Sequence, residues 1–203
     1  MKLYSSAFAP NPRRVRIYLA EKNIAIETVI LDLGKLEQRA PGFTALNPFQ
    51  RVPLLELDDG TLISESIAIC RYFEELRPEP PLFGAGALER AMVEMWQRQI
   101  ELNLFAHVAH AFRHSHPHMA AMEQPQIGEL AEASKPRAVA AMRVFDAALA
   151  DRRFIAGNRF SVADITGLVA LDFTKVARIV IPEEFVHLRR WHGELAARPS
   201  ARA

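Results

Sequence analysis

The stretch Asn47-Pro-Phe-Gln-Arg-Val-Pro-Leu-Leu-Glu-Leu-Asp-Asp-Gly-Thr-Leu-Ile-Ser-Glu-Ser-Ile holds several local structural signals in close succession. The residue before a proline is pushed into an extended conformation, and Pro53 cannot donate a ladder hydrogen bond. Pro53 is therefore predicted to start a strand over residues 54–57. The dipeptide Asp59-Gly60 between two apolar runs predicts a hairpin turn, with the return strand beginning at residues 62–63.

The same stretch predicts a ligand site. A cis bond between Val52 and Pro53 would leave the Val52 N–H and C=O at a sheet edge, where an extended peptide could pair with them. Ser64 is predicted to cap a helix whose first N–H groups are free for a carboxylate. Glu65 follows it and could hold an amine nearby. We therefore expect a short peptide-like zwitterion with a free α-amino acid end as the ligand.

The residues before this stretch are predicted to complete a mixed sheet. Residues 2–5 and 24–31 are predicted strands, the second of them rich in β-branched side chains. Between them a helix is predicted, with Asn11 as its N-cap and Pro12 as its first residue. Residues 34–45 suggest a short irregular helix. The order β-α-β-α-β-β-α gives a parallel pair, an antiparallel hairpin and hence a four-stranded sheet with helices on its faces.

The second half of the chain is helical in pattern. A stretch rich in proline and glycine at residues 77–86 predicts a linker, with one domain at residues 1–78 and another at residues 87–203. The predicted helices cover residues 88–113, residues 127–151 with Pro136 as a kink or late start, a segment from Ser161 and a segment from about Glu183. Ser161 and Asp164 have the spacing of a capping box, which favours a structural role over a catalytic serine–aspartate pair.

Composition excludes several function classes. The chain has 203 residues with 25 Lys plus Arg and 24 Asp plus Glu, so charge gives no argument for nucleic acid or an anionic membrane as a partner. No apolar run is long enough to span a bilayer, and the N-terminal residues lack the apolar core of a signal peptide. A single cysteine, Cys70, excludes an internal disulfide. These features predict a cytoplasmic protein that does not bind membranes.

Two other features could carry chemistry but favour structural roles. Imidazoles are common zinc ligands, yet no carboxylate or cysteine completes the histidine cluster, so a polar helix face and loop is favoured over a metal site. The histidines are His107, His110, His114, His116 and His118. Cys70 lies among apolar neighbours inside a predicted helix, a setting typical of an inert buried thiol.

The quoted stretch resembles the glutathione-binding segment of glutathione S-transferases, in which N-P-x-G-x-V-P-x-L is followed by D-G-x-x-x-x-E-S. The chain departs from that pattern at Gln50, where the family usually has glycine. The resemblance covers essentially the whole chain. It implies a thioredoxin-like N-terminal α/β domain with an all-α C-terminal domain, and a cytoplasmic homodimer acting in detoxification without a metal. It also implies glutathione as co-substrate, bound by Arg51, Val52, Pro53, Glu65 and Ser66.

The family pattern leaves several candidates for the residue that contacts the glutathione sulfur. The family places a tyrosine, serine or cysteine in the N-terminal loop, but the usual serine position holds Ala9. Ser5 and Ser6 come early in the chain. Pro10-Asn11 instead resembles the loop of the bacterial nu class, where an asparagine or a backbone amide contacts the sulfur. Asn11 is accordingly the predicted catalytic contact, with a plain N-cap as the alternative role.

The predicted reaction is attack of a bound glutathione thiolate on an electrophile, catalysed by a glutathione transferase. A glutathione-dependent disulfide-bond reductase and a non-catalytic glutathione- or ligand-binding protein are the alternatives, and Ala9 favours the second of these. Trp96, Phe105 and His107 are the predicted lining of a second-substrate pocket. The identity of the second, small-molecule substrate does not follow from the sequence.

Overall fold

The computed structural model describes residues 1–203 and divides into two compact units. Unit 1 comprises Met1–Pro81 together with Pro199–Ala203, and unit 2 comprises Leu82–Arg198. The sequence-based boundaries assigned the last five residues to the helical domain, whereas in the structure they belong to unit 1. There, Arg13 donates to the Ala201 carbonyl at 3.0 Å and the Ser200 hydroxyl donates to Glu21.

Unit 1 contains the mixed four-stranded sheet that the sequence predicts. The strand order is β2-β1-β3-β4, with β1 parallel to β2 and antiparallel to β3, and with β3 antiparallel to β4. Its elements are β1 (Lys2–Ser5), α1 (Pro10–Glu21), β2 (Glu27–Ile30), α2 (Pro41–Leu46), β3 (Leu54–Glu56), β4 (Leu62–Ser64) and α3 (Ser66–Leu76). Two single turns of 3₁₀ helix, Leu33–Lys35 and Glu37–Arg39, precede α2.

The sheet buries apolar side chains on both faces. Because successive residues of a strand point to opposite faces, Leu54 and Leu55 enter different cores. Leu54 packs with Phe43 of α2, with the ring of Tyr4 against Phe43. Leu55 pairs in register with the buried Leu3, on the other face. This arrangement fixes the C-terminal end of α2 and the loop that leads into β3.

The helix starts in unit 1 differ from the sequence-based predictions. α1 begins at Pro10, so Ala9 is its N-cap and Asn11 lies inside its first turn; the prediction of Asn11 as the N-cap was wrong. α3 begins at Ser66, with Glu65 rather than Ser64 at the N-cap position. In both cases a proline or an unusual backbone angle sets the boundary, and no side chain caps the helix.

Unit 2 is all-helical. Its helices are α4 (Gly86–Ile100), α5 (Ala106–Arg113), α6 (Gly128–Ala148), α7 (Val162–Phe173) and α8 (Val186–Ala196). A π-helical turn at Glu101–Phe105 joins α4 to α5, so the long predicted helix is present but contains a turn that the sequence pattern did not indicate. α6 runs through Pro136 without ending.

α7 forms the centre of unit 2. Every residue from Val162 to Leu171 is buried, and the Trp191 ring of α8 lies where a Cβ on Gly167 would stand. Asp164 accepts the Ser161 N–H at 2.9 Å, which confirms the predicted capping box. None of the helices has the length and apolarity that a membrane crossing requires.

Candidate functional site

A pocket in unit 1 brings together residues from three separate parts of the chain. All six residues predicted to bind glutathione contribute to it. Its lining consists of Asn11, Asn47, Phe49, Arg51, Val52, Pro53, Ser64, Glu65 and Ser66. Of these, Asn47, Phe49 and Ser64 were not predicted from the sequence as site residues.

The loop before β3 supplies one wall of the pocket. The Val52–Pro53 peptide bond is cis. The Val52 side chain is buried with Phe43 and Leu54, while no protein group hydrogen-bonds to the Val52 backbone N–H or C=O. The two backbone groups of Val52 are therefore open to pairing with an extended peptide as an added strand.

Asn47 holds the loop in place. Its side-chain NH₂ donates to the Arg51 carbonyl at 2.8 Å, and its side-chain oxygen accepts the Phe49 N–H at 3.2 Å. Its backbone carbonyl accepts the Gln50 N–H at 2.8 Å. Asparagine before a tight turn is the sequence signal that could have identified this role. Phe49, by contrast, is 82% exposed, and no local pattern marks it.

Gln50 takes the backbone conformation for which the family pattern has glycine. Its φ is 55°, in the left-handed region. The turn before Val52 is therefore retained despite the departure from the family pattern, at the cost of placing a side chain where glycine is favoured. The Gln50 side chain partly offsets this cost by donating to the Thr44 hydroxyl at 3.1 Å.

The start of α3 also lines the pocket. Glu65 has φ 69° and ψ 120°, and Ser66 follows as the first helical residue. No side chain caps this helix, so the first-turn N–H groups are available to an anion, and the helix dipole favours negative charge there. The Glu65 side chain is exposed and makes no hydrogen bond or ion pair, whereas Ser66 is buried. A carboxylate with a neighbouring amine fits this arrangement.

Asn11 approaches the pocket from the first turn of α1. Its side-chain oxygen accepts a hydrogen bond from Arg14 Nη2 at 2.7 Å. The side-chain NH₂ is therefore the group with which Asn11 can serve a ligand. Because Asn11 is the second residue of α1, its backbone N–H also belongs to the unpaired first turn.

The hydroxyl candidates of the N-terminal loop do not line the pocket. Ser5 and Ser6 are both buried; Arg16 contacts the Ser5 hydroxyl at 3.4 Å and donates to the Ser6 carbonyl at 2.9 Å. The Tyr4 hydroxyl donates to Glu56 at 2.8 Å. Cys70 is buried in α3, and burial raises the pKa of its thiol, so it stays protonated. Asn11 is thus the only predicted thiolate contact that the structure places in the pocket.

The residues predicted for a second-substrate pocket all lie in unit 2. Trp96 contacts Phe145 edge to face, and Phe105 contacts Phe173 in the same way. His107 faces His110, with ring centroids 6.4 Å apart. Burial, and then the positive charge of Arg137, lower the pKa of His107. The structure gives these three residues separate packing partners rather than one shared contact.

The histidine-rich segment spaces its imidazole rings along α5 and the loop that follows. Successive rings of His107, His110 and His114 stand 6.4 and 6.1 Å apart along α5. His114 accepts the Ile127 N–H through Nδ1 at 3.2 Å, which ties the following loop to the helix. No group of three or more histidine, cysteine, aspartate or glutamate side chains is placed to hold a metal ion.

Comparison with known proteins identifies the family and the fold. The sequence matches the family models for the glutathione S-transferase N-terminal domain over residues 8–76 and the C-terminal domain over residues 109–199. It is 38% identical over 205 residues to glutathione S-transferase 2 of Saccharomyces cerevisiae, covering 100% of this chain and 88% of that protein.

Solved structures agree over the full length of the chain. A glutathione S-transferase domain-containing protein of Marinobacter aquaeolei VT8 superposes with a TM-score of 0.95 at 38% identity, covering 98% of this chain and 99% of that one. Gtt2 of Saccharomyces cerevisiae superposes with a TM-score of 0.94 at 38% identity, covering 100% and 99% of the two chains. The predicted fold, a thioredoxin-like domain followed by an all-α domain, is thereby confirmed.

Proposed function

The chain belongs to the glutathione S-transferase family, and we propose that it binds glutathione in the unit 1 pocket and activates the glutathione thiol for attack on an electrophile. The observation that carries this proposal is the meeting of Asn11, Val52, Glu65 and Ser66 in one pocket. These residues offer a hydrogen-bond donor for sulfur, an open backbone edge for a peptide and a helix start for a carboxylate.

Binding is proposed to use the two walls of the pocket. The γ-glutamyl carboxylate accepts from the open N–H groups at Ser66, and Glu65 holds the neighbouring amine. The backbone of Val52 pairs with the extended part of the tripeptide, next to Pro53. Arg51 lines the same wall and adds a positive charge for the second carboxylate. This assignment accounts for each charged end of the ligand.

Activation is proposed to rest on Asn11. An ordinary thiol has a pKa of about 8.5, so only a few per cent is ionised at neutral pH. Lowering that pKa by about two units requires roughly 2.7 kcal/mol of preferential stabilisation of the thiolate. A hydrogen bond to a charged group supplies about 1.5–3 kcal/mol, so one or two donors suffice. Asn11 offers its side-chain NH₂, its backbone N–H and the favourable dipole at the start of α1.

The test follows the ultraviolet absorbance of the thiolate in the glutathione complex against pH. Asn11→Ala is expected to raise the thiol pKa, and to slow turnover of an aryl halide more at pH 7 than at pH 9. Ser5→Ala and Ser6→Ala serve as controls and should leave the titration unchanged. A shift in either serine variant with none in Asn11→Ala would move the role to that serine.

The same experiment separates transferase activity from the alternatives. Ala9 stands where the family usually has a serine, and this observation favours a binding protein without turnover as the second candidate. Glutathione binding without a thiolate signal in the wild-type protein would support that candidate. Consumption of glutathione with a mixed disulfide, but not with an aryl halide or a peroxide, would support a disulfide-bond reductase.

We also propose that the second substrate contacts Trp96, Phe105 and His107. The protein is further proposed to act in the cytoplasm, as a homodimer and without a metal. Exposed apolar side chains on the helices of unit 2 support the dimer. They include Leu88, Met95 and Leu102. Sedimentation at micromolar concentration tests the dimer, and an active monomer of 22.8 kDa would contradict it.

A further inference from the structure

The side chain of Arg14 is buried directly behind Asn11. Arg14 is only 3% exposed, although arginine is rarely buried to this extent. Its Nη2 donates to the Asn11 side-chain oxygen at 2.7 Å, a distance typical of a charge-assisted hydrogen bond. The two residues are three apart in α1, so they share a helix face. The charge therefore lies one hydrogen bond away from the pocket lining.

This contact selects one orientation of the Asn11 amide. A guanidinium group can only donate hydrogen bonds, whereas an amide has an accepting oxygen on one side and a donating NH₂ on the other. The oxygen must therefore face Arg14, and the NH₂ is left for the ligand. Without Arg14 the amide could rotate by half a turn and present its oxygen to the sulfur, which would repel a thiolate.

Arg14 itself is held by the packing of two helices. α1 lies against α3, and the Arg14 charge acts on the buried Cys70 of α3, opposing the rise that burial causes in the pKa of that thiol. A long side chain fixed at both ends has few alternative rotamers, so the Asn11 amide is also fixed. In addition, an amide oxygen that accepts from a cation makes its own NH₂ a stronger donor.

We propose that Arg14 is a positioning residue, which orients and polarises the Asn11 amide so that its NH₂ stabilises the glutathione thiolate. This role rests on the proposed function, because it requires that Asn11 contacts the sulfur. Arg14 acts through Asn11 and does not itself touch the ligand. Its contribution should therefore disappear when the Asn11 amide is absent.

A double-mutant cycle tests this dependence with the pKa of bound glutathione as the readout. The variants are Asn11→Ala, Arg14→Met and the two combined. Asn11→Ala is expected to lower the thiolate fraction at neutral pH by about tenfold, and Arg14→Met by about threefold to tenfold. The combined variant should match Asn11→Ala alone. Affinity for glutathione should change much less than the thiol pKa, because neither group holds the charged ends of the peptide.

Two further variants make the result interpretable. Arg13→Met removes the same charge from the neighbouring position, where the side chain donates to the Ala201 carbonyl, and should leave the thiol pKa unchanged. Arg14→Lys retains charge and donor, and should lie between wild type and Arg14→Met. If Arg14→Met does not fold, the cycle is completed with Arg14→Lys instead.

The outcomes distinguish failure of this inference from failure of the proposed function. An unperturbed thiol pKa in the wild-type complex would overturn the proposed activation and this inference together. A lowered wild-type pKa that Asn11→Ala raises and Arg14→Met does not would overturn only the positioning role. An equal effect of Arg14→Met with and without Asn11 would show that the charge acts directly on the sulfur, which would also overturn it.

Discussion

The N-termini of α3 and α7 have similar sequences but differ in how their backbone N–H groups are satisfied. Ser64-Glu65-Ser66 leads into α3, and Ser161-Val-Ala-Asp164 leads into α7. The α7 start is closed by its own side chains and is buried, whereas the α3 start has no side-chain cap and opens into the pocket. A helix start satisfied from within stabilises the fold, and one left unsatisfied is available to a ligand.

The α7 start satisfies four hydrogen-bond donors with one carboxylate. Asp164 accepts from the N–H groups of Ile155 and Ser161 at 3.0 and 2.9 Å, and from the Ser161 hydroxyl at 2.8 Å. It also accepts from Trp191 Nε1 at 2.9 Å. Burial raises the pKa of Asp164, and the hydrogen bonds from these partners oppose that rise. Removing this carboxylate affects several elements of unit 2 together.

The largest expected effect is therefore from Asp164→Ala. The substitution leaves buried donors on Ile155, Ser161 and Trp191 without an acceptor, and each such donor costs about 1–3 kcal/mol. Allowing for relaxation, we expect the free energy of unfolding to fall by about 3–5 kcal/mol, measured by urea denaturation. The control is Asp151→Ala, whose side chain is 80% exposed and pairs only with Arg152, and which should change stability by less than about 0.5 kcal/mol. A loss below about 1 kcal/mol in Asp164→Ala would mean that α7 does not depend on its closed start.

At the α3 start, the corresponding substitution should lower ligand affinity and leave the stability of the fold unchanged. Glu65→Ala removes the acidic partner of the proposed γ-glutamyl amine, so glutathione affinity should fall by about tenfold to a hundredfold. Because the Glu65 side chain is exposed and makes no hydrogen bond or ion pair, the free energy of unfolding should change by less than about 0.5 kcal/mol. Calorimetric titration measures the affinity, with Glu75→Ala on the exposed side of the same helix as the control. Wild-type affinity in Glu65→Ala would remove this residue from the site.

These two starts also show what the sequence could predict. The capping box is a local rule, complete within four residues, and the structure confirms it. The N-cap of α3 was predicted at Ser64, one residue before the observed N-cap Glu65, because the prediction assumed a side-chain cap. The backbone angle of Glu65 is set by the sheet before it and the helix after it, and no local pattern of side chains encodes it. Local rules thus predict the satisfied helix start better than the open one.

The same distinction holds for the rest of the pocket. The order of strands and helices followed from periodicity and turn signals, and so did the grouping of Val52 with Glu65. Asn11 was placed in the site by family resemblance, while its contact with Arg14 depends on a helix that starts one residue before it. The structural role of Asn47 combines three hydrogen bonds that a linear pattern does not specify.

A third substitution, Glu65→Gly at the N-cap position of α3, is expected to increase stability. Glu65 has φ 69°, a conformation that costs a non-glycine residue about 1–3 kcal/mol. Glu65→Gly removes that cost. It also destabilises the fold by about 0.5–1 kcal/mol, because glycine loses more backbone entropy on folding, and it removes a favourable charge near the helix start. We expect the free energy of unfolding of the ligand-free protein, measured by thermal denaturation, to rise by about 1 kcal/mol. Glutathione affinity should fall as in Glu65→Ala. Loss of stability together with affinity would show that the conformation of Glu65 is not strained.

The smallest expected effect is at Gln50, the second residue of the pocket region with a positive φ. Its left-handed conformation costs about 1–2 kcal/mol, which Gln50→Gly would remove. Two effects oppose this gain: glycine has an additional backbone entropy cost of about 0.5–1 kcal/mol, and the partly buried hydrogen bond to Thr44 is lost. The free energy of unfolding, measured by urea denaturation, should rise by about 0.5 kcal/mol in total.

Glutathione affinity should stay within about twofold of wild type in Gln50→Gly, because the Gln50 side chain does not line the pocket. Calorimetry measures this affinity, and Thr44→Ala is the control for the lost hydrogen bond. If Gln50→Gly gains stability and keeps its glutathione affinity, the strain at Gln50 serves only the turn. If Glu65→Gly gains stability and loses affinity, the strain at Glu65 serves ligand binding. A loss of more than about 1 kcal/mol in Gln50→Gly would instead assign the stability of this loop to the glutamine side chain.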